Sequence, residues 1–145
     1  MSTTSAAGST RIGTAVQKRS LISSAATAAV VAALLNTAIW AAGRAADVSF
    51  SASPPVGSPM EVGLGLIVPT TLLMVGVGAG LLALAARRSS AWVRAVVVAA
   101  AAFTLISVSG PLSTADDTAS GVLLALMHVV TGAAFLVTVS RAATR

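Results

Sequence analysis

The sequence predicts an all-α integral membrane protein, a four-helix bundle whose helices each cross the bilayer and whose two termini both lie in the cytoplasm. Three observations carry that prediction. Of the 145 residues 56% are hydrophobic and only 9% are charged, against about a quarter charged in an ordinary soluble domain, so charges are too few to cover a water-facing surface. The apolar residues are gathered into four long blocks, and mean hydropathy is +0.93. The basic residues gather in alternate gaps between those blocks.

Met1 to Ser20 is rich in Ser, Thr, Ala and Gly, carries Arg11, Lys18 and Arg19, and has no helical apolar periodicity, so residues 1–20 read as a disordered cytoplasmic tail. Leu21 to Ala42 is free of charge, and ~20 apolar residues at ~1.5 Å rise each suffice for a hydrocarbon core of ~30 Å. This run exceeds the ~7–15 residues of a secretory h-region, and Lys18-Arg19 is not a true twin-arginine pair, which speaks against a cleaved leader. Val62 to Ala86 is the second span, with Pro69 in its interior. The third, residues 91–109, reaches spanning length if Arg94 snorkels to the headgroups. Gly121 to Val139 is the fourth, followed by a short tail over 141–145. The connections are a Pro-rich loop from Gly43 to Glu61, a turn at Arg87-Arg88-Ser89-Ser90, and a loop over 110–120. Blocks of this length without alternation exclude barrel strands, leaving helices as the way to satisfy backbone groups in lipid.

Charge placement gives the orientation. Arg11, Lys18, Arg19, Arg87, Arg88, Arg94, Arg141 and Arg145 share one side, while Arg44, Asp47, Glu61, Asp116 and Asp117 share the other. The Lys/Arg excess marks the cytoplasmic face of a cytoplasmic membrane, where anionic lipid headgroups would be its partners. The same topology accounts for a pI of about 11.8 without nucleic-acid binding, which needs a continuous basic patch. Trp40 and Trp92 fall near opposite ends of their helices, as interfacial anchors or as plain packing. No cysteine is present, and one histidine with four acidic residues offers little for a metal cage or a catalytic dyad. No cofactor, metal or enzymatic activity is expected.

Asn36, Pro69 and His128 fall at similar depth below the outer face, with Thr70, Thr71, Thr104 and Thr131 within about a turn of them. Polar groups at that depth should turn inward and pair, and a hydrogen bond from the Asn36 amide to a His128 ring nitrogen is the simplest pairing. The layer reads either as interhelical glue or as a polar pocket, with Pro69 depriving the Gly65 carbonyl of its donor. Gly76 and Gly80 have the small-xxx-small spacing of close helix packing, and the run Gly76-Val77-Gly78-Ala79-Gly80 lacks the strand and spacing of a phosphate loop. Asp116 and Asp117 suit the positive end of the last helix, with Thr118 or Ser120 as N-cap. The Pro-rich loop should lie across the bundle mouth with Phe50 dipping into the interface.

At Asn36-Thr37-Ala38-Ile39-Trp40, Val62-Gly63-Leu64-Gly65, Gly110-Pro111-Leu112-Ser113 and Ala125-Leu126-Met127-His128 the chain resembles a family of small four-span actinobacterial membrane proteins of unknown function. The resemblance covers Leu21 to about Val139 and implies the same topology without implying an activity. Two functions are expectations at this point. One is a non-enzymatic accessory protein that acts through another membrane protein or a second copy of itself. The other is a carrier or binder of a small lipophilic ligand that uses the Asn36–His128 layer.

Overall fold

The structure, a computed structural model, describes residues 6–143, and side chains over 23–139. Helix α1 is Ala6–Ala45, followed by strands β1, Ser51–Ala52, and β2, Met60–Glu61. Helices α2, Leu64–Ala86, α3, Ser90–Ser107, α4, Ser109–Thr114, and α5, Thr118–Ala143, complete the chain. Four helical segments among the described residues are long and apolar enough to cross a membrane: Ser23–Ala45, Leu64–Ala86, Ser90–Thr114 and Thr118–Val139. Their outer faces remain apolar, with Leu105 and Ile106 of α3 exposed by 76% and 70%. A surface of this kind is stable in hydrocarbon and unstable in water.

Two element boundaries differ from the sequence reading. Residues 6–20, read as an irregular tail, continue α1. The segment contains no proline, and a helix nucleated in the span beyond it propagates at little further cost. The second difference is α4, a short helix in the segment read as a loop. Pro111 cannot donate to the carbonyl of Ser107, four residues back. The helix therefore breaks after Ser107 and restarts at Ser109, with Pro111 tolerated in the first turn of α4. The predicted tail over 141–145 falls largely on the last turns of α5, and residues 144 and 145 lie outside the described residues.

Helix α1 packs mainly on α5 and α2, while α3 lies against α2 and α5. One stripe of each central helix carries the interior. On α1 the buried positions are Ala28, Ala32, Asn36 and Gly43, and on α2 they include Ile67, Thr71, Val75 and Leu82, the three-to-four spacing that places side chains on one face. Ala28, Val75, Leu82, Phe135 and Val139 form one apolar cluster, and Phe50, Ile67, Leu124 and Met127 form a second nearer the strands. No residue of α3 is buried.

Strands β1 and β2 pair antiparallel, Ser51 with Glu61 and Ala52 with Met60, and this hairpin lies across one end of the bundle. It is tied to the linker before α5 by Ser53 N–H to the Thr114 carbonyl, 2.8 Å, and Asp116 N–H to the Ser51 carbonyl, 3.1 Å. Phe50 does not dip into the interface, as the sequence suggests, but is completely buried. Its ring occupies the space that a Cβ on Gly43 would need. Phe50 has φ +54°, a left-handed conformation that costs a non-glycine residue roughly 1–3 kcal/mol. Burying a phenyl side chain returns about 1.5–3 kcal/mol, and the Phe50 N–H finds the Ser120 hydroxyl at 2.9 Å. Trp40 stacks near this ring, with centroids 6.4 Å apart, and donates its indole N–H to the Val62 carbonyl at 3.2 Å. Its role is therefore to hold the hairpin.

The cap of α5 is Asp117 and not Thr118 or Ser120. Its carboxylate accepts from the Ser120 N–H at 2.8 Å and the Ser120 hydroxyl at 2.6 Å. These hydrogen bonds from Ser120 hold the Asp117 carboxyl below its ordinary value. An exposed Arg44–Glu61 ion pair at 2.7 Å spans the hairpin end, a contact worth little to stability in water.

Gly76 and Gly80, read as a close-packing pair, have nothing within 4 Å of a would-be Cβ. They face outward, because an offset of two residues, about half a turn, directs Gly78 to the interior, where a Cβ would meet the Phe135 ring at 2.9 Å. Replacing Gly43 by Val should therefore destabilise the bundle by about 1–3 kcal/mol through the clash with Phe50. Gly76→Ala should be neutral or stabilising by up to about 1 kcal/mol, both read from unfolding transitions in detergent.

Candidate functional site

Asn36 stands nine residues from the end of α1 at Ala45, roughly 13 Å along the axis and so near the middle of a hydrocarbon core of ~30 Å. It is 1% exposed. Its amide nitrogen donates to Thr71 Oγ1 on α2 and to Thr131 Oγ1 on α5, each at 3.0 Å. The threonines can only accept there, because each hydroxyl proton goes to a carbonyl four residues back. Thr71 donates to Ile67 at 2.7 Å and Thr131 to Met127 at 2.8 Å. This fixes the amide orientation: the alternative would leave two N–H donors unpaired. Both amide hydrogens are thus committed, and one residue ties three helices together.

The remaining amide atom, Asn36 Oδ1, is buried and has no partner. A buried acceptor left bare costs about 1–3 kcal/mol, so a full account of this interior requires a donor from outside the chain or tolerance of that penalty. Asn36 forms part of the wall of a cleft of about 820 Å³ between α2, α3 and α5. The cleft is overwhelmingly apolar, lined by residues such as Leu66, Met74, Val96, Phe103 and Met127, and Ala52 and Val62 of the hairpin region close one end. No residue of α3 is fully buried, and its Thr104 side chain occupies the place that a Cβ on Gly132 of α5 would need.

His128 also lines this cleft, but it does not pair with Asn36. Its Nδ1 lies 2.8 Å from the Leu124 carbonyl on its own helix, and a carbonyl can only accept, so Nδ1 carries a proton; of the two neutral tautomers this selects the one in which Nε2 is an acceptor. The expected Asn36–His128 bond fails because two threonines reach the amide first. Thr70 lines the cleft and is exposed, with no protein partner for its hydroxyl among the described residues. Pro69 is exposed in the second turn of α2, which runs unbroken through it. Of the predicted layer the structure thus joins Asn36 to Thr131, sets His128 and Thr70 on the cleft wall, and leaves Pro69 outside.

Thr71 was visible in sequence only as a neighbour of the layer, and it is one of the two residues that hold Asn36. The signal that could have found it is its i+4 relation to Ile67, which places it on the buried stripe of α2. Thr104 donates to the Ala100 carbonyl, Ser107 to Thr104, and Thr114 to Gly110, at 2.8 to 2.9 Å. No cluster of three or more metal-ligating side chains occurs among the described residues.

The sequence model of a family of unknown function, DUF6069, matches residues 16–145, a range that contains all four spans and every cleft residue. No curated protein and no solved structure matches the chain.

If the amide bridge holds the helices as described, Thr131→Val removes one acceptor and should cost about 0.6–1.7 kcal/mol, the range of interhelical hydrogen bonds in membranes. His128→Leu should stay within about 0.5 kcal/mol of wild type, as expected for a change that breaks no interhelical contact. Reversible unfolding in mixed micelles measures both.

Proposed function

The chain belongs to this family of unknown function, and from that premise we propose that it is a non-enzymatic membrane protein that holds a small lipophilic molecule in the cleft between α2, α3 and α5. The observation that carries the reading is an apolar cleft of about 820 Å³ whose wall includes Asn36, a residue with a buried amide oxygen that has no partner among the described residues. Ligand sites for small molecules are typically concave spaces of ~300–1,000 Å³ with a few polar groups on apolar walls. A bundle built only for packing would close α3 onto its neighbours, since a void forfeits dispersion contacts.

A second reading rests on a different surface. Gly76 and Gly80 lie on an open face of α2, which favours action through another membrane protein or a second copy of the chain, since small residues permit close helix approach. The two readings separate by where a substitution acts. Ala99 lines the cleft and is exposed, so Ala99→Trp fills the cleft without disturbing the buried clusters. Native mass spectrometry of the detergent-extracted protein should find a bound lipophile in the wild type and none in Ala99→Trp. Equal spectra, free of adduct in both, would sink the ligand reading.

For orientation, the Lys/Arg excess at the Arg87–Arg88 turn favours a cytoplasmic placement of that turn, and with it of both termini, against anionic headgroups of the cytoplasmic membrane. The chain has no cysteine, so single cysteines report without background. A cysteine at Ser58 should react with an impermeant maleimide in intact cells, and one at Ser89 only after lysis. The reverse pattern would invert the topology.

A further inference from the structure

We infer that the molecule held in the cleft is an uncharged lipophile that presents a hydroxyl as hydrogen-bond donor, an alcohol or a phenol, with Asn36 Oδ1 and His128 Nε2 as its acceptors. This rests on the ligand-binding reading above and adds the chemical sense of recognition. The reasoning is an inventory of protons. Eight hydroxyl, amide or imidazole side chains line the cleft. Asn36 gives both amide hydrogens to Thr71 and Thr131, and those two threonines give theirs to Ile67 and Met127. Thr104, Ser107 and Thr114 each donate to a carbonyl of their own helical segment. His128 gives its Nδ1 proton to Leu124, the tautomer that leaves Nε2 as an acceptor.

Seven of the eight are therefore acceptors toward anything in the cleft, and Thr70 alone keeps a proton that no described group takes. The buried Asn36 Oδ1 is the strongest demand, because it has no partner among the described residues.

Each alternative ligand meets this arrangement badly. A ketone, ester or quinone can accept from Thr70 alone and brings only lone pairs to the other acceptors. A carboxylate or phosphate adds charge to the same mismatch. An ammonium group would donate, but no Asp or Glu lines the cleft, so its charge would be left unpaired in a low dielectric. A hydroxyl needs no countercharge. It donates to an acceptor of the cleft and can receive the Thr70 proton on its own oxygen.

The test uses the full-length protein in nanodiscs and two matched pairs of probes: farnesol with its methyl ether, and a prenylated hydroquinone with the corresponding quinone. Each pair keeps the apolar body and removes only the donor. The hydroxyl member of at least one pair should bind about tenfold more tightly than its partner, the worth of one hydrogen bond to a buried acceptor. Which pair responds distinguishes an aliphatic alcohol from a phenol. Asn36→Leu should bring the members of that pair to parity. Since this variant also loses the three-helix bridge, His128→Leu, which breaks no interhelical bond, should reduce the preference in a bundle of unchanged stability. Equal binding within both pairs, or a preference untouched by both substitutions, overturns the donor assignment while leaving the cleft a site. Absence of binding by all four probes in wild type removes the cleft reading itself, and this inference with it.

Discussion

The bundle depends on one amide. In the hydrocarbon-like interior no hydrophobic force drives helix to helix, since lipid tails are as apolar as the side chains they would replace. Specific contacts must then decide which helices meet and in what register. Asn36 does this for three of them, with one hydrogen to α2 and one to α5. Sliding either helix by one turn along α1 would separate the amide from a threonine. That would add unpaired donors to an acceptor already bare. The apolar clusters on either side of this layer can tolerate some repacking, whereas the amide cannot be satisfied in any other arrangement of these stripes.

The hairpin end is fixed by a different device, shape. Gly43 has no side chain, so the Phe50 ring can lie against α1, and the Ser120 hydroxyl that receives the Phe50 N–H is itself oriented by Asp117. The ring, the missing side chain and the helix cap form one unit that joins α1, the hairpin and α5. Helix α3 is excluded from both devices. Its Thr104 packs against Gly132 of α5, and both residues line the cleft.

The four spans were legible in the sequence because length and hydropathy alone determine them. The polar layer was legible as well, since polar residues at mid-depth are few. What pairs with what was not. Asn36 and His128 look like natural partners because they are the most polar groups of the layer, but a histidine can satisfy its donor on its own helix, as His128 does at Leu124. Threonines that back-bond to their own carbonyls become pure acceptors, suited to an amide. Glycine spacing alone did not tell which glycine packs inside the chain. Gly76, Gly78 and Gly80 differ in which face they occupy, and only tertiary packing reveals that Gly78 meets Phe135. The break before α4 was visible in Gly110-Pro111, and the helix that resumes beyond it was not.

The two hydrogen bonds of Asn36 span very different stretches of chain, 35 residues to Thr71 and 95 to Thr131. During synthesis the first partner enters the bilayer soon after α1, and the second arrives only with the final helix. Until then the amide carries an unpaired hydrogen as well as its bare oxygen, and the early helices have no complete reason to lock together. The amide bridge is accordingly completed only when α5 inserts and supplies the missing oxygen.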